Sequence, residues 1–423
     1  MAATTKTCQR LVASILAAAS VVLASGAAQG ASPGLPFTED FSSTALRDTD
    51  ETTATWNTQA GRLEMGTTFT LENLSSTPSF LGTDFDGASL ATRSVVSADF
   101  DGDGDVDIAA GNQDQPNLVY FYNGGFADAG QQISNENNTT RGLAAGDVDN
   151  DGDIDIVEVS FREPPRLYRN NGSGGFSAAV DIDDRNQRGW AAALADVDND
   201  GDLDVVMANG GSRNRLYRNQ LIPSGTLSFV GGNLGAAQNE TRTVAVGDLN
   251  GDGFTDIVFG EFGLANTGHL SDGEGGLSAG SAIGGEANQT FAVELADVTG
   301  NGNLDLIEGS QQQVTRIYPG NGSGGFGSAS SVDDSSNADT TVALEVADLD
   351  RDNDLDIVEG NNHTSQRLFL NNGSGGFSNA VSGAFRAETD RTYGLVSADF
   401  DRDGIVDIAA GHQETGYTLY DFD

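Results

Sequence analysis

Two residue types are almost missing from this chain of 423 residues, which has one cysteine, Cys8, and one lysine, Lys6. Both sit near the start, so disulfides cannot hold the rest together and every later basic residue is an arginine. Histidine is scarce as well. With only His269, His363 and His412, and no cysteine beyond position 8, the chemistry is wrong for zinc. Those histidines share no motif, so a general acid and base in a cleft is not expected, and the chain reads as a non-enzyme. Positive charge is the largest deficit. Lysine and arginine total 21 against 63 acidic residues, a formal charge of −42. Such a surface repels nucleic acid and anionic membranes and favours divalent cations.

Long apolar runs are also lacking. The one exception, Leu11–Ala24, follows Lys6 and Arg10, precedes the small residues Ser25-Gly26-Ala27-Ala28, and is too short to anchor comfortably in a bilayer. That order predicts a secretory signal peptide over residues 1–28 and a secreted or cell-surface protein, with no transmembrane segment and expected to be monomeric. Residues 32–75, with Phe37, Trp56 and Leu63, read as a small N-terminal β extension. It is too short for a core of its own.

What the chain has in abundance is one repeated segment. Seven stretches read Asp-x-[Asp/Asn/Thr]-x-[Asp/Asn]-[Gly/Asn]-x-x-Asp, starting at Asp99, Asp147, Asp196, Asp248, Asp297, Asp348 and Asp399. The intervals are 48, 49, 52, 49, 51 and 51 residues. Around each loop the order recurs: a small and aliphatic stretch such as Leu344-Glu345-Val346-Ala347, a run such as Asp155-Ile156-Val157, an alternating Arg166-Leu167-Tyr168, then a Gly/Asn turn and a further strand. Four short strands per fifty residues predict a seven-bladed β-propeller over 78–423. After the seventh loop only two strands remain before Asp423. Pro78-Ser79-Phe80-Leu81-Gly82 is therefore expected to close the ring as the last blade's missing strand.

The loops have the chemistry of a calcium site. Carboxylates at positions 1, 3, 5 and 9, with a backbone carbonyl at position 7, can supply the six to eight oxygens that calcium takes, and glycine at position 6 permits the turn. The predicted ligands are Asp99, Asp101, Asp103, Asp105 and Asp107; Asp147, Asp149, Asp151, Asp153 and Asp155; and Asp196, Asp198, Asp200, Asp202 and Asp204. The fourth loop gives Asp248, Asn250, Asp252, Phe254 and Asp256, the fifth Asp297, Thr299, Asn301, Asn303 and Asp305. The last two give Asp348, Asp350, Asp352, Asp354 and Asp356, then Asp399, Asp401, Asp403, Ile405 and Asp407. Up to seven calcium ions are expected, one per blade. The fifth loop, with two carboxylates, should bind most weakly or stand as a turn held by hydrogen bonds.

These loops, with the Asn-Asn-Gly-Ser-Gly-Gly-Phe turns at 170–176 and 371–377, resemble the FG-GAP/VCBS repeat family. The resemblance implies a calcium-bearing propeller of the kind found in integrin α-subunits, propeller lectins and secreted bacterial proteins. It says little about function, because that family includes adhesins, lectins and some lyases. It also implies that the metal loops share one face of the disc, leaving the other where the inner strands begin. Seven residues before each loop stand Thr92, Thr140, Gly189, Thr241, Thr290, Thr341 and Thr392. The next residues are Arg93, Arg141, Trp190, Arg242, Phe291, Val342 and Tyr393. Thr at the first set is the expected choice for a strand former that makes a hydrogen bond from blade to blade. Arginine with aromatics at the second, Arg93, Arg141, Trp190, Arg242, Phe291 and Tyr393, is a candidate ligand face. The favoured function is a binding or adhesion module for an extracellular protein or glycan. A carbohydrate lectin is the alternative, and a polysaccharide lyase-like enzyme the third reading.

Overall fold

β-Branched and aromatic residues suit a pleated, half-buried strand, and each repeat opens on a strand that sets them among small residues. In the computed structural model these inner strands are Thr92–Ala98, Thr140–Gly146, Gln187–Ala195, Thr241–Gly247, the second half of Ser281–Ala296, Thr341–Ala347 and Thr392–Ala398. The structure describes residues 46–47, 53–57 and 62–65, then 81–422 except 86–89, 127–128, 236–237, 334–338, 379, 382–384 and 386–389. The expected leader and residues 78–80 lie outside the described residues.

Met1–Leu74 and Ser75–Asp423 are separate compact units. In the first, Leu46–Arg47, Thr53–Asn57 and Arg62–Met65 pair antiparallel into a small sheet. The second is all-β among its described residues, apart from one helical turn at Leu221–Ser224. No helix among the described residues is long and apolar enough to cross a membrane.

Each inner strand pairs antiparallel with a second strand that begins at the last Asp of its loop, as Thr92–Ala98 does with Asp107–Asn112 and Thr392–Ala398 with Asp407–His412. Five of these second strands, including Asp204–Asn209 and Asp356–Asn361, are buried along their whole length. A strand packed on both faces by neighbouring sheets reads as a continuous apolar run, as Asp-Ile-Val does here. The third strands alternate. Leu167 packs with Val205 and Met207 of the following repeat, whereas Tyr168 packs with Val119 of the preceding one. Tyr168, Tyr217, Tyr318 and Phe369, at one position in four repeats, are core residues, all at most 2% exposed. The strands are not uniformly short: Asp256–His269 and Ser281–Ala296 run on through register shifts where four separate short strands were expected.

Seven apolar clusters follow one another, each built from two successive repeats, and one joins the last repeat to the first through Phe85, Val95, Ile108, Phe400 and Tyr417. That closure has a covalently distant strand in it. Leu81–Phe85 pairs antiparallel with Gly416–Asp421, Leu81 opposite Asp421 and Phe85 opposite Tyr417. Phe85 is 5% exposed and stacks on Tyr417 at 5.4 Å and on Phe126 at 4.5 Å.

Side chains also latch repeat to repeat. Asn170 donates to the carbonyl of Phe100, Asn219 to that of Val148, Ser271 to that of Val197 and Asn371 to that of Val298. Each acceptor lies in the loop of the repeat before.

Removing the Phe85 ring leaves a cavity at the closing seam. Phe85→Ala should destabilise by about 3–5 kcal/mol, the range for a buried aromatic cut to alanine. Urea unfolding in calcium checks this, and a loss below about 1 kcal/mol would mean that the strand does not close the fold.

Candidate metal loops and ligand face

The loops share a backbone geometry that their composition dictates. Position 6 has positive φ in all seven: Gly104, Gly152, Gly201, Gly253, Gly302, Asn353 and Gly404. Position 4 does too, through Gly102, Asn150, Asn199, Gly251, Gly300, Arg351 and Arg402, a second left-handed site that the motif reading missed. Glycine and asparagine enter that region most readily, so Arg351 and Arg402 hold it against preference. The signal was present, since five of the seven position-4 residues are Gly or Asn.

Each carboxylate then takes a definite task. The position-6 N–H donates to the first Asp in every loop, from 2.7 Å at Gly302–Asp297 to 3.1 Å at Asn353–Asp348. The position-5 side chain accepts from the position-7 N–H, as Asp103 does from Asp105 at 2.8 Å and Asp403 from Ile405 at 2.8 Å. The last Asp is a staple. Asp107 accepts from the N–H of Phe100 and, fifteen residues on, from that of Tyr122. Asp155, Asp204, Asp256, Asp356 and Asp407 do the same, so this residue ties the loop to the turn after the third strand.

Five loops bring three carboxylate oxygens within 4.8 Å of one another: Asp99, Asp101 and Asp107; Asp147, Asp149 and Asp155; Asp196, Asp198 and Asp200; Asp348, Asp350 and Asp356; Asp399, Asp401 and Asp407. These could hold a metal ion, and an all-oxygen donor set suits a hard cation such as calcium. The third loop uses Asp200 where the others use position 9. There Asp202, expected to offer only its carbonyl, has its side chain buried and accepts from Asn150 and from the Ile222 N–H. The fourth loop carries an amide, Asn250, in place of the third-position carboxylate. Asp248, Asn250, Asp252 and Asp256 form no such cluster among the described residues; the Asn250 amide instead donates to Asp252 at 2.9 Å. In the fifth loop the Asn301 amide donates to Asp305 and to the Gly320 carbonyl, and Thr299, not the second residue, supplies the N–H to Asp305. An amide cross-brace stands there in place of the acidic cluster.

Crowding is visible in the proton affinities. Burial first, and neighbouring carboxylates after it, push Asp107 and Asp155 up to about 6 and Asp204, Asp356 and Asp407 up to about 7, against the backbone donors that pull them down. A few arginines answer part of the charge. Arg402 pairs with Asp105 of the first loop at 2.5 Å, and Arg169 with Asp149 at 3.4 Å.

At the opposite ends of the inner strands, Arg93, Arg141, Trp190, Arg242, Phe291 and Tyr393 all line one cavity of about 310 Å³, with Val342 completing the circuit. The guanidinium of Arg93 lies 4.2 Å from the Tyr393 ring centroid; Arg141 and Arg242 lie 4.2 and 3.8 Å from that of Trp190. The Thr set one residue earlier is buried. Its bonds run mainly within one sheet and not, as expected, from blade to blade: Thr92 pairs with Asn112, Thr241 with Glu261 and Thr341 with Asn361 on the second strand. Thr92 also reaches Tyr417 of the last repeat at 2.8 Å. His363 and His412 stand in different surroundings. His412 is buried beside Thr392, whereas His363 is exposed and accepts from Arg391.

Sheets arranged in this way define a β-propeller. A solved lectin of Agrocybe aegerita that recognises non-reducing terminal N-acetylglucosamine is 22% identical, covering 72% of this chain and 89% of that one, with a TM-score of 0.52. BBS1N, solved in complex with ARL6DN, is 13% identical over 82% of this chain and 97% of that one, with a TM-score of 0.57. At these identities the likeness shows the fold alone. Comparison with curated proteins gave no match. The profile of the FG-GAP-like repeat matches residues 99–158, 154–207, 196–259 and 297–359. The chain belongs to the FG-GAP-like repeat family.

The raised carboxylates set a sign for the metal-free protein. Their folded-state affinity for protons exceeds that of the unfolded chain, so the native state binds more protons between about pH 4 and 7 and loses stability as pH rises through that window. In excess chelator the melting temperature should therefore rise as pH falls from 7.5 towards 5. In saturating calcium it should fall over the same range as protons displace the ion. Differential scanning calorimetry at matched ionic strength checks both, and a chelated protein that melts lower at pH 5 would contradict the crowding.

Proposed function

We propose that this chain is a secreted, calcium-braced, seven-bladed propeller that works as a non-enzymatic binding or adhesion module. In this reading residues 1–28 are a leader, 32–75 an extension and 78–423 a ring of four-stranded blades. One calcium in each acidic cluster would stiffen the ring, with Asp101 and its equivalents as ligands and the weakest binding at the fifth loop. The ion would supply charge neutralisation and rigidity, while the chain's own surfaces recognise an extracellular protein or glycan.

One observation carries the binding reading. Six side chains from six different repeats, chosen by register alone, converge on a single cavity, and they bring three arginines together on a chain of charge −42. A concave site with a few convergent polar groups is the default place for a ligand. A lectin is the second reading. It draws on a polar pocket of about 380 Å³ between neighbouring repeats, lined by Arg185, Gln187, Arg213, Arg215, Asn233 and Gln238 among others. Side chains rich in donors and acceptors suit hydroxyl groups.

Arrays of glycans and of extracellular matrix proteins, probed in calcium and in chelator, test this. Saturable binding that disappears with calcium is the expected result. Consumption of a bound polysaccharide, read as new unsaturated or reducing ends, would contradict a non-enzymatic role.

A further inference from the structure

The cavity at the inner-strand ends carries positive charge that the chain does not neutralise. Arg242 reaches Glu240 at 3.3 Å, and Arg93 is held by the neutral Gln113 amide oxygen at 2.6 and 3.0 Å. Arg141 makes no ion pair among the described residues. Burial, then the like charges of Arg93 and Arg242, holds its guanidinium down to about 10. The one carboxyl lining the cavity is no remedy. Burial and the nearby Glu345 push Glu294 up to about 8, which weakens it as a counter-charge. Three N–H groups here are buried without an acceptor: Arg141 Nε, Trp190 Nε1 and Arg242 Nε. Buried polar groups are normally paired, and exceptions call for an explanation.

The aromatic rings narrow the ligand. Trp190 is flanked by guanidiniums from the repeats on either side, at 4.2 and 3.8 Å, and Tyr393 lies against that of Arg93. The Trp190 faces that a sugar would stack on are already taken by the chain's own cations. What the site has left to give is charge and N–H donors.

We infer that this cavity binds an oxyanion, the carboxylate or sulfate group of the partner, through Arg141 and Arg93, with Trp190 and Tyr393 holding the guanidiniums in place. The inference rests on the binding-module reading and names the chemistry of its ligand. Charge-assisted hydrogen bonds to a flat guanidinium, strengthened away from bulk water, are what such a group seeks. A neutral sugar would leave the positive charge unanswered.

The chain has two tryptophans, Trp56 and Trp190. Trp56→Phe therefore leaves Trp190 as the only indole, beside the proposed anion. Sodium sulfate, sodium glucuronate and glucose would be titrated into calcium-loaded W56F protein, with ionic strength held constant by sodium chloride. A saturable change in Trp190 emission with sulfate, glucuronate or both, and none with glucose, is expected; the two anion arms tell sulfate from carboxylate. Arg141→Gln should move the midpoint at least tenfold with melting temperature unchanged. If that variant melts early, Arg141→Lys, which keeps charge but loses the flat fork, should weaken binding less than Arg93→Gln does. No saturable response to either anion, an equal response to glucose, or an unmoved midpoint in the arginine variants would overturn the inference. A blank titration beside retained array binding would remove the oxyanion and leave the binding-module reading standing.

Discussion

Mutual repulsion of carboxylates is the constraint on which the rest of this molecule depends. In five loops three acidic oxygens lie within 4.8 Å of one another. Two unit charges at that distance repel by roughly 3 kcal/mol at an effective dielectric of 20. Three such pairs per loop, repeated round a ring, amount to more than a typical net folding free energy of about 5–15 kcal/mol. Water softens the repulsion at the exposed positions but not at the buried last Asp. Either protons or cations must answer it, and an all-oxygen donor set suits a hard dication such as calcium.

The same residues do structural work that does not need the ion. The last Asp of a loop joins two distant N–H groups, and the first accepts the N–H of a left-handed residue. The loop is thereby preshaped, and its neighbours are latched to it by Asn170, Asn219, Ser271 and Asn371. Loss of charge balance in one loop is then felt at the seam with the next repeat. The fifth loop shows how the fold manages with less charge: Asn301 bridges Asp305 and the Gly320 carbonyl.

Much of this was legible in the residues. The period, the alternating Leu-Tyr of the third strands and the closing strand before the first loop all follow from patterning, because burial on two faces leaves a mark on composition. The closing strand starts at Leu81 in the described residues. Roles within the loop were less legible. A motif of alternating Asp does not say which carboxylates converge, and it hid both the left-handed position 4 and the buried Asp202. The six candidate ligand-face residues were found by counting back from each loop, which works because register is preserved between repeats. That arginines would cover Trp190 could not be counted, since it depends on side chains from the two adjoining repeats meeting across the cavity.

Charge divides the molecule, with acidic loops that hold the ring and a cavity of excess positive charge at the other ends of its inner strands. The central claim is that calcium answers the carboxylates. The most direct measurement is calcium bound per chain, by calorimetric titration of chelator-stripped protein with metal content confirmed by mass spectrometry. Five or more sites are predicted, with Asp401→Asn removing one of them and Asp297→Asn removing none of the tight ones. Stripped protein that takes up no calcium would contradict the account.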